Sequence, residues 1–126
     1  MDKFPCPCCG YLVFSEPPGT YHICPICSWE DDISQLRFVR TTGANHVNLL
    51  EAQLSFANDG ASHPELKKYV RAPGAGDIRE PAWRPIDESL DNIEEPVRGM
   101  NYGSTYPEDG TALYYWRQNY WRRSTN

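Results

Sequence analysis

The hydrophobic pattern of the first quarter of the chain predicts a β-hairpin. Residues 11–14 are a short run of strand-forming side chains, and residues 20–23 form a second run after a Pro- and Gly-containing turn at 16–19. Residues 35–40 are a candidate for a further short strand. Residues 29–32 combine a tryptophan with three acidic side chains, an arrangement that can pack the indole on the hairpin and cap the next turn.

Helical spacing begins at Asn48. This residue is a candidate N-cap, because Glu51 stands three residues later and completes a variant of the capping box. Leu50, Leu54 and Ala57 then recur on one helical face. The sequence therefore predicts a helix that begins after Asn48 and ends at the Asn-Asp-Gly turn that follows.

The second half of the chain carries weaker patterns. Residues 62–70 open with a proline in the first turn and predict a short helix. Residues 79–109 are punctuated by proline, acidic and irregular, with Leu90 and Ile93 as apolar anchors. Residues 112–123 favour a terminal helix, although their aromatic side chains would suit a strand equally well.

Two Cys-x-x-Cys pairs carry the strongest chemical signal in the chain. Cys6 and Cys9 form the first pair, and Cys24 and Cys27 form the second. Pairs at this separation can bring four thiolates to the corners of one tetrahedron, which is the ligand set of a structural zinc site. Gly10 follows the first pair and can adopt the positive φ that such a turn needs. We expect one structural Zn²⁺, with no coordination position left for water or substrate.

The remaining cysteine, Cys8, has two interpretations. It either fills the variable position of the first turn or acts as a thiol that exchanges into the metal shell. The odd count of five cysteines argues against a disulfide framework. Residues 24–27 alone would suit a thiol-redox motif, but the preceding cysteine pair and the acidic residues that follow disfavour that chemistry.

Composition and charge narrow the function classes. The chain has 126 residues, a net charge of −5 and 13% aromatic residues, which predicts a small core and an acidic surface. It shows no signal peptide at its start and no apolar run of about 20 residues that would span a membrane, so we expect a cytoplasmic protein. The acidic balance disfavours nucleic acid as a partner.

Two groups of side chains in the second half are candidates for partner binding. Residues 77–109 hold nine acidic residues against three arginines, and this imbalance favours a basic partner. The tail is rich in tyrosine and tryptophan, which are typical of interface hot spots. The candidate residues are Asp87, Glu88, Asp91, Glu94, Glu95, Trp116, Tyr120 and Trp121.

Several strings in the first half resemble the bacterial cysteine-rich CPCC family. They are residues 6–11, 16–21 and 24–32, and the similarity continues through residues 43–57. The resemblance covers about residues 4–73. It implies a small zinc-ribbon protein of a family whose members are mostly uncharacterised, some of them encoded near bacterial toxin and immunity genes.

The predicted architecture is α+β. Residues 1–73 form the zinc-ribbon domain, a β-hairpin with one or two short helices packed on it. Residues 74–126 form a Pro/Gly-rich, acidic and aromatic C-terminal extension that packs on the same globule. The resemblance does not reach this second segment.

These observations favour a non-enzymatic zinc protein that acts by binding another protein. The sequence offers no catalytic constellation. Together with the closed zinc site, the acidic net charge and the gene neighbourhood that the resemblance implies, this favours an immunity protein that neutralises a cognate toxin. The partner would be a basic protein, most simply a toxin domain, steered to the acidic region.

Two alternatives stay open. The first is a nucleic-acid-binding zinc-ribbon regulatory protein, which would depend on Arg117, Arg122 and Arg123. The second is an enzyme, either a thiol-redox enzyme or one with a site formed within residues 74–126.

Overall fold

A computed structural model describes residues 3–122. Its elements are two short strands, two α-helices and two 3₁₀ helices. In chain order they are β1 (Phe4–Pro5), β2 (Leu12–Phe14), α1 (Ile33–Arg37), α2 (Leu49–Asp59), a first 3₁₀ helix (Pro64–Tyr69) and a second 3₁₀ helix (Gly110–Leu113). The predicted α+β class of a small, zinc-ribbon-like protein is confirmed.

The antiparallel hairpin contains β2, as predicted, but its partner is a different segment. Phe4 pairs with Phe14 and Pro5 with Leu12, so the hairpin encloses the first cysteine pair. The predicted return strand at 20–23 is therefore wrong. Residues 20–23 precede the second cysteine pair and contact the residues that follow it. Ile23 forms an isolated β-bridge with Glu30 there.

The carboxylate of Asp31 explains why the chain turns at this point. It accepts hydrogen bonds from the N–H groups of Gly19 and Thr20 at 3.0 and 3.1 Å. Tyr21 then adopts a φ of 61° and donates its N–H to the Asp31 carbonyl. A left-handed residue and a side chain that takes up backbone donors are incompatible with continued pairing to β2.

The candidate strand at 35–40 is also wrong, because α1 covers its beginning. Asp32 caps this helix by accepting from the Ser34 N–H at 2.9 Å, and its other carboxylate oxygen accepts from the Ala44 N–H at 2.9 Å. Trp29 is fully buried in the core. The packing and capping roles predicted for residues 29–32 are therefore confirmed.

Helix α2 agrees with the predicted start and end. Asn48 and Glu51 form a reciprocal capping box, and Gly60 closes the helix in the left-handed conformation. The predicted apolar face is only partly turned to the core: Leu50 packs against it, whereas Leu54 is 65% exposed. The buried positions of α2 are Leu49, Ala52 and Gln53.

The second half is mostly irregular, as predicted, with two corrections. Residues 64–69 form the expected short helix as a 3₁₀ helix, capped by the His63 imidazole. Ile93 packs against the core, but Leu90 is 75% exposed and anchors nothing. The predicted terminal helix is absent from the described part of 112–123, since the chain there consists of the second 3₁₀ helix and turns.

The core joins the cysteine turns to both helices and to the tail. Tail residues 113–116 are buried consecutively, which places side chains on more than one side of an irregular segment and explains the absence of a regular helix. The largest fully buried apolar side chains are Trp29, Tyr114, Ile26, Leu49 and Leu113.

Candidate metal centre

The two Cys-x-x-Cys turns have the same backbone geometry, and we call them the first and second knuckle. In the first, the Cys6 N–H donates to the Tyr11 carbonyl at 2.9 Å. In the second, the Cys24 N–H donates to the Trp29 carbonyl at 2.9 Å. Each knuckle is thus closed by the equivalent backbone hydrogen bond, which joins the chain segment before the cysteine pair to the segment after it.

The residue after each pair adopts the left-handed conformation. Gly10 has a φ of 82°, as predicted, and Ser28 has a φ of 66° at the equivalent position. Their N–H groups donate to the carbonyls of Cys6 and Cys24, respectively. No local signal predicts this conformation for Ser28, because serine rarely occupies this region of backbone space.

The four predicted ligands come together in one buried cluster. The sulfurs of Cys6, Cys9, Cys24 and Cys27 all lie within 4.8 Å of one another, and all four residues are fully buried. The closest pairs join the two knuckles, with Cys6 Sγ 3.6 Å from Cys27 Sγ and Cys9 Sγ 3.8 Å from Cys24 Sγ. A tetrahedral ion with metal–sulfur bonds of about 2.3 Å has sulfur–sulfur edges of about 3.8 Å. The residues present therefore fit a tetrahedral metal ion.

The electrostatics of the cluster suit a bound cation. Burial raises the pKa of the Cys6 and Cys27 thiols, whereas hydrogen bonds from the Cys27 and Cys6 thiols lower the pKa of Cys24. Several thiolates in one dry cluster would repel each other without a counter-charge. A divalent ion supplies that charge and would be held by four protein sulfurs, the arrangement of a structural site rather than a catalytic one.

Cys8 is buried beside this cluster but is not one of its four sulfurs. Its Sγ lies 3.4 Å from the Ala52 carbonyl on α2, which accepts a hydrogen bond from the thiol. Burial raises the pKa of Cys8. These contacts agree with the interpretation that Cys8 fills the variable position of the first knuckle.

Two of the predicted partner-binding carboxylates are engaged within the molecule. Glu94 forms two hydrogen bonds of 2.9 Å with the guanidinium of Arg37, and both side chains are largely buried. Asp91 pairs with Arg84 at 2.6 Å, and only 7% of its side chain is exposed. These acidic side chains brace the C-terminal segment, and little of their surface is left for a partner.

The other three predicted carboxylates face solvent. Glu88 and Glu95 flank the exposed guanidinium of Arg40. Asp87 accepts hydrogen bonds from the N–H and the hydroxyl of Ser89. Both bonds lower the pKa of Asp87, and the bond from the hydroxyl has the larger effect. Their role in partner binding stays a prediction.

The three predicted aromatic residues occupy different environments. Trp116 is buried and donates its indole N–H to the Glu80 carboxylate. Tyr120 and Trp121 are half-buried, and the Trp121 ring packs over Arg37. Partner binding by these aromatics also stays a prediction, although Trp116 offers little surface for it.

Arg37 is the residue that sequence reasoning missed. Its guanidinium carbon lies 4.6–4.9 Å from the centres of four aromatic rings, and its own side chain is 3% exposed. Those rings belong to Phe38, Tyr102, Tyr106 and Trp121. An arginine beside helical leucine gives no local signal of such a cage, because most of the rings come from distant segments.

The arginines proposed for nucleic-acid contact are engaged where the structure describes them. Arg117 pairs with the Glu80 carboxylate, and Arg122 lies 3.9 Å from Glu94. Arg123 lies outside the described residues.

Comparison with known proteins agrees with this geometry. A protein-family model described as Cysteine-rich CPCC matches residues 4–77, which include both knuckles, α1, α2 and the first 3₁₀ helix. No curated protein matches the chain. Among the described residues, no helix has both the length and the apolar character needed to cross a lipid bilayer. The match spans more than half of the sequence and the whole four-sulfur cluster, and the chain therefore belongs to the cysteine-rich CPCC family.

Proposed function

We propose that this protein is a non-enzymatic zinc protein that acts by binding a basic protein, and that it serves as an immunity protein against a cognate bacterial toxin. The observation that carries the zinc assignment is the buried cluster of four sulfurs from two matching knuckles. Thiolates at this geometry suit Zn²⁺, and four of them leave no open position for catalysis.

The acidic surface supports a basic partner. The net charge of −5 and the solvent-facing carboxylates of Asp87, Glu88 and Glu95 would attract a positively charged domain and accelerate its association. The family resemblance supports the immunity role, because it implies that some members are encoded near toxin and immunity genes. Occlusion of a toxin requires only a complementary surface, which a rigid, metal-stapled domain can present.

Metal removal tests the first half of this proposal. We expect one zinc per chain by elemental analysis, and we expect chelation to unfold the protein, because the metal contributes folding free energy. Cys9→Ala should lose the metal, whereas the matched control Cys8→Ala should keep it, since Cys8 is not among the four clustered sulfurs and donates to the Ala52 carbonyl on α2. A wild-type protein that purifies without metal and stays folded would overturn the assignment.

Affinity capture of the tagged protein from its native bacterium tests the second half. A stoichiometric basic protein encoded beside this gene, whose toxicity the protein suppresses, would support the proposal. Glu88→Gln/Glu95→Gln should then slow association and flatten its salt dependence, with little change in dissociation. Recovery of nucleic acid without a protein partner would favour the regulatory alternative and overturn the immunity role.

A further inference from the structure

A cleft of about 520 Å³ lies beside the metal centre and outside the predicted partner residues. Its walls are the second knuckle, the loop at 44–47 and the first 3₁₀ helix with the residues just before it. A cleft of this size accommodates one or two side chains or a small ligand. The aromatic residues of the tail at 114–116 are buried and offer little apolar surface to a partner. The cleft is therefore an alternative place for apolar contact.

Two large hydrophobic side chains in this cleft are open to solvent. Ile23 is 61% exposed on the second knuckle, and Tyr69 is 64% exposed at the end of the first 3₁₀ helix. Leu66, Val47 and Pro25 extend the apolar lining between them. Grouped apolar side chains of this kind, with a polar rim, are typical of protein interaction sites.

The cleft contains two carboxylates that form no ion pair with any described residue. Glu30 and Glu65 line it, and neither forms an ion pair with any described residue. No lysine or arginine of the described chain lines it. The nearby Lys67 pairs with Asp59 on α2, outside the cleft. The two carboxylates thus have no ion-pair partner among the described residues, in contrast to the engaged pairs of the C-terminal segment, and the basic side chains of the lining are the imidazoles of His46 and His63.

A buried hydroxyl provides an independent sign of a ligand. Ser62 lines the cleft and is 1% exposed, and its Oγ has no hydrogen-bond partner among the described residues. Its N–H is held by the Cys27 carbonyl at 2.8 Å, so the residue is fixed to the second knuckle. Buried polar atoms are rarely left without a partner, and a bound chain can supply one.

We propose that this cleft receives a segment of the basic protein partner, with an apolar side chain between Ile23 and Tyr69 and a lysine or arginine at Glu30 and Glu65. The Ser62 hydroxyl then bonds to a polar atom of the bound segment. This inference rests on the proposed function and places its contact surface on the second knuckle rather than on the acidic region at 87–95. Because Cys24 and Ser28 form part of the lining, the cleft directly adjoins the second knuckle of the candidate metal centre.

Peptide titration of the zinc-loaded protein tests this placement. The probe is a pool of capped heptapeptides with a central leucine flanked by two arginines, followed by amide NMR of the ¹⁵N-labelled chain. The control pool has glutamate in place of arginine. We expect the basic pool alone to shift the amides of Ile23, His46, Ser62 and Tyr69.

Two charge-matched variants make the result specific. Glu30→Gln/Glu65→Gln should weaken binding by about tenfold or more, while Glu16→Gln/Glu108→Gln, which removes two exposed carboxylates elsewhere, should change it by less than about twofold. Zinc content and the NMR spectrum establish that each variant is folded. Ile23→Ala should also weaken binding, because it removes one apolar wall.

The outcomes separate this inference from the proposed function. Shifts confined to residues 87–95, equal binding of the two pools, or no binding would overturn the cleft as the contact surface. A basic protein captured from the bacterium whose complex is unaffected by Glu30→Gln/Glu65→Gln would do the same, while leaving the immunity role standing. Absence of a basic protein partner would instead overturn the proposed function.

Discussion

At the scale of single residues, Gly10 holds the first knuckle against the C-terminal segment. A Cβ at this position would lie 2.5 Å from Cδ2 of Trp83, well inside van der Waals contact. The same indole donates its N–H to the Pro7 carbonyl at 3.0 Å, so the ring is fixed over the knuckle. Gly10 is therefore required both by its φ of 82° and by the close approach of this ring.

The variant Gly10→Ala should lower the free energy of unfolding by about 3 kcal/mol, because it combines left-handed strain with overpacking. Gly60→Ala is the matched control, since Gly60 has a φ of 77° but no atom within 4 Å of the Cβ that alanine would add. The control should cost only about 1 kcal/mol from backbone strain. Urea unfolding at saturating zinc measures both values, and equal losses would show that Trp83 yields to the methyl group.

At the scale of elements, α2 shows how a polar residue decides which face is buried. The Gln53 amide donates to the Pro7 carbonyl and to the Tyr115 hydroxyl, each at 2.9 Å. Its oxygen accepts from the Ile86 N–H at 2.9 Å. These bonds tie the helix to the first knuckle and the tail, so Gln53 is buried while Leu54 stays in solvent. Hydrophobic spacing alone cannot indicate this, because the partners are distant in sequence.

The helix caps lead to a second prediction. Asn48→Ala removes the side chain that accepts the Glu51 N–H at 2.8 Å, and it should reduce stability by about 1 kcal/mol. Asn58→Ala, an identical change at an exposed position near the other end of α2, should be neutral or slightly stabilising because alanine favours helix. Thermal unfolding of the two variants compares the effects. A loss of the same size in both would mean that the cap contributes nothing specific.

At the scale of the whole molecule, the buried pair of Arg37 and Glu94 joins two halves of the chain. Arg37 lies on α1 within the family-matched segment, and Glu94 lies beyond it. Four aromatic rings surround the guanidinium, which binds the carboxylate through two nitrogens. The hydrogen bond from Arg37 lowers the pKa of Glu94, so the ionised carboxylate is stabilised in the folded protein.

This pair gives a pH-dependent prediction. At pH 7, Glu94→Gln should cost about 3 kcal/mol, because the buried Arg37 charge loses its partner. Because the pKa of Glu94 is lower in the folded protein than in the unfolded chain, its ionised carboxylate stabilises the fold at every pH above the unfolded pKa. That stabilisation is lost as the pH falls through the folded pKa. The difference between wild type and variant should therefore shrink toward acid pH. Urea unfolding over a pH series from neutral to acid measures it, and a pH-independent difference would contradict the role of ionised Glu94.

The local chemistry of the chain determined the four-cysteine cluster, the start and end of α2, and the short helix that begins at Pro64. Each depends on residues close together in sequence: a Cys-x-x-Cys turn, a capping box, a proline in a first turn. The spacing of the cysteines was specific because each Cys-x-x-Cys turn holds two sulfurs close together, and two such turns suit one tetrahedral ion. Local signals of this kind persist in any fold that the rest of the chain adopts.

Only the tertiary structure decided the pairing of the hairpin, the path of the tail and the use of the acidic residues. The Asp31 carboxylate accepts hydrogen bonds from the N–H groups of residues 19 and 20, which keeps residues 20–23 from pairing with β2. The strand β2 pairs with β1 instead. The tail is buried along 113–116 because its aromatics meet distant partners, and Glu94 is buried because Arg37 is. Such contacts join residues far apart in sequence, so they contribute free energy only after the chain has folded and brought those residues together.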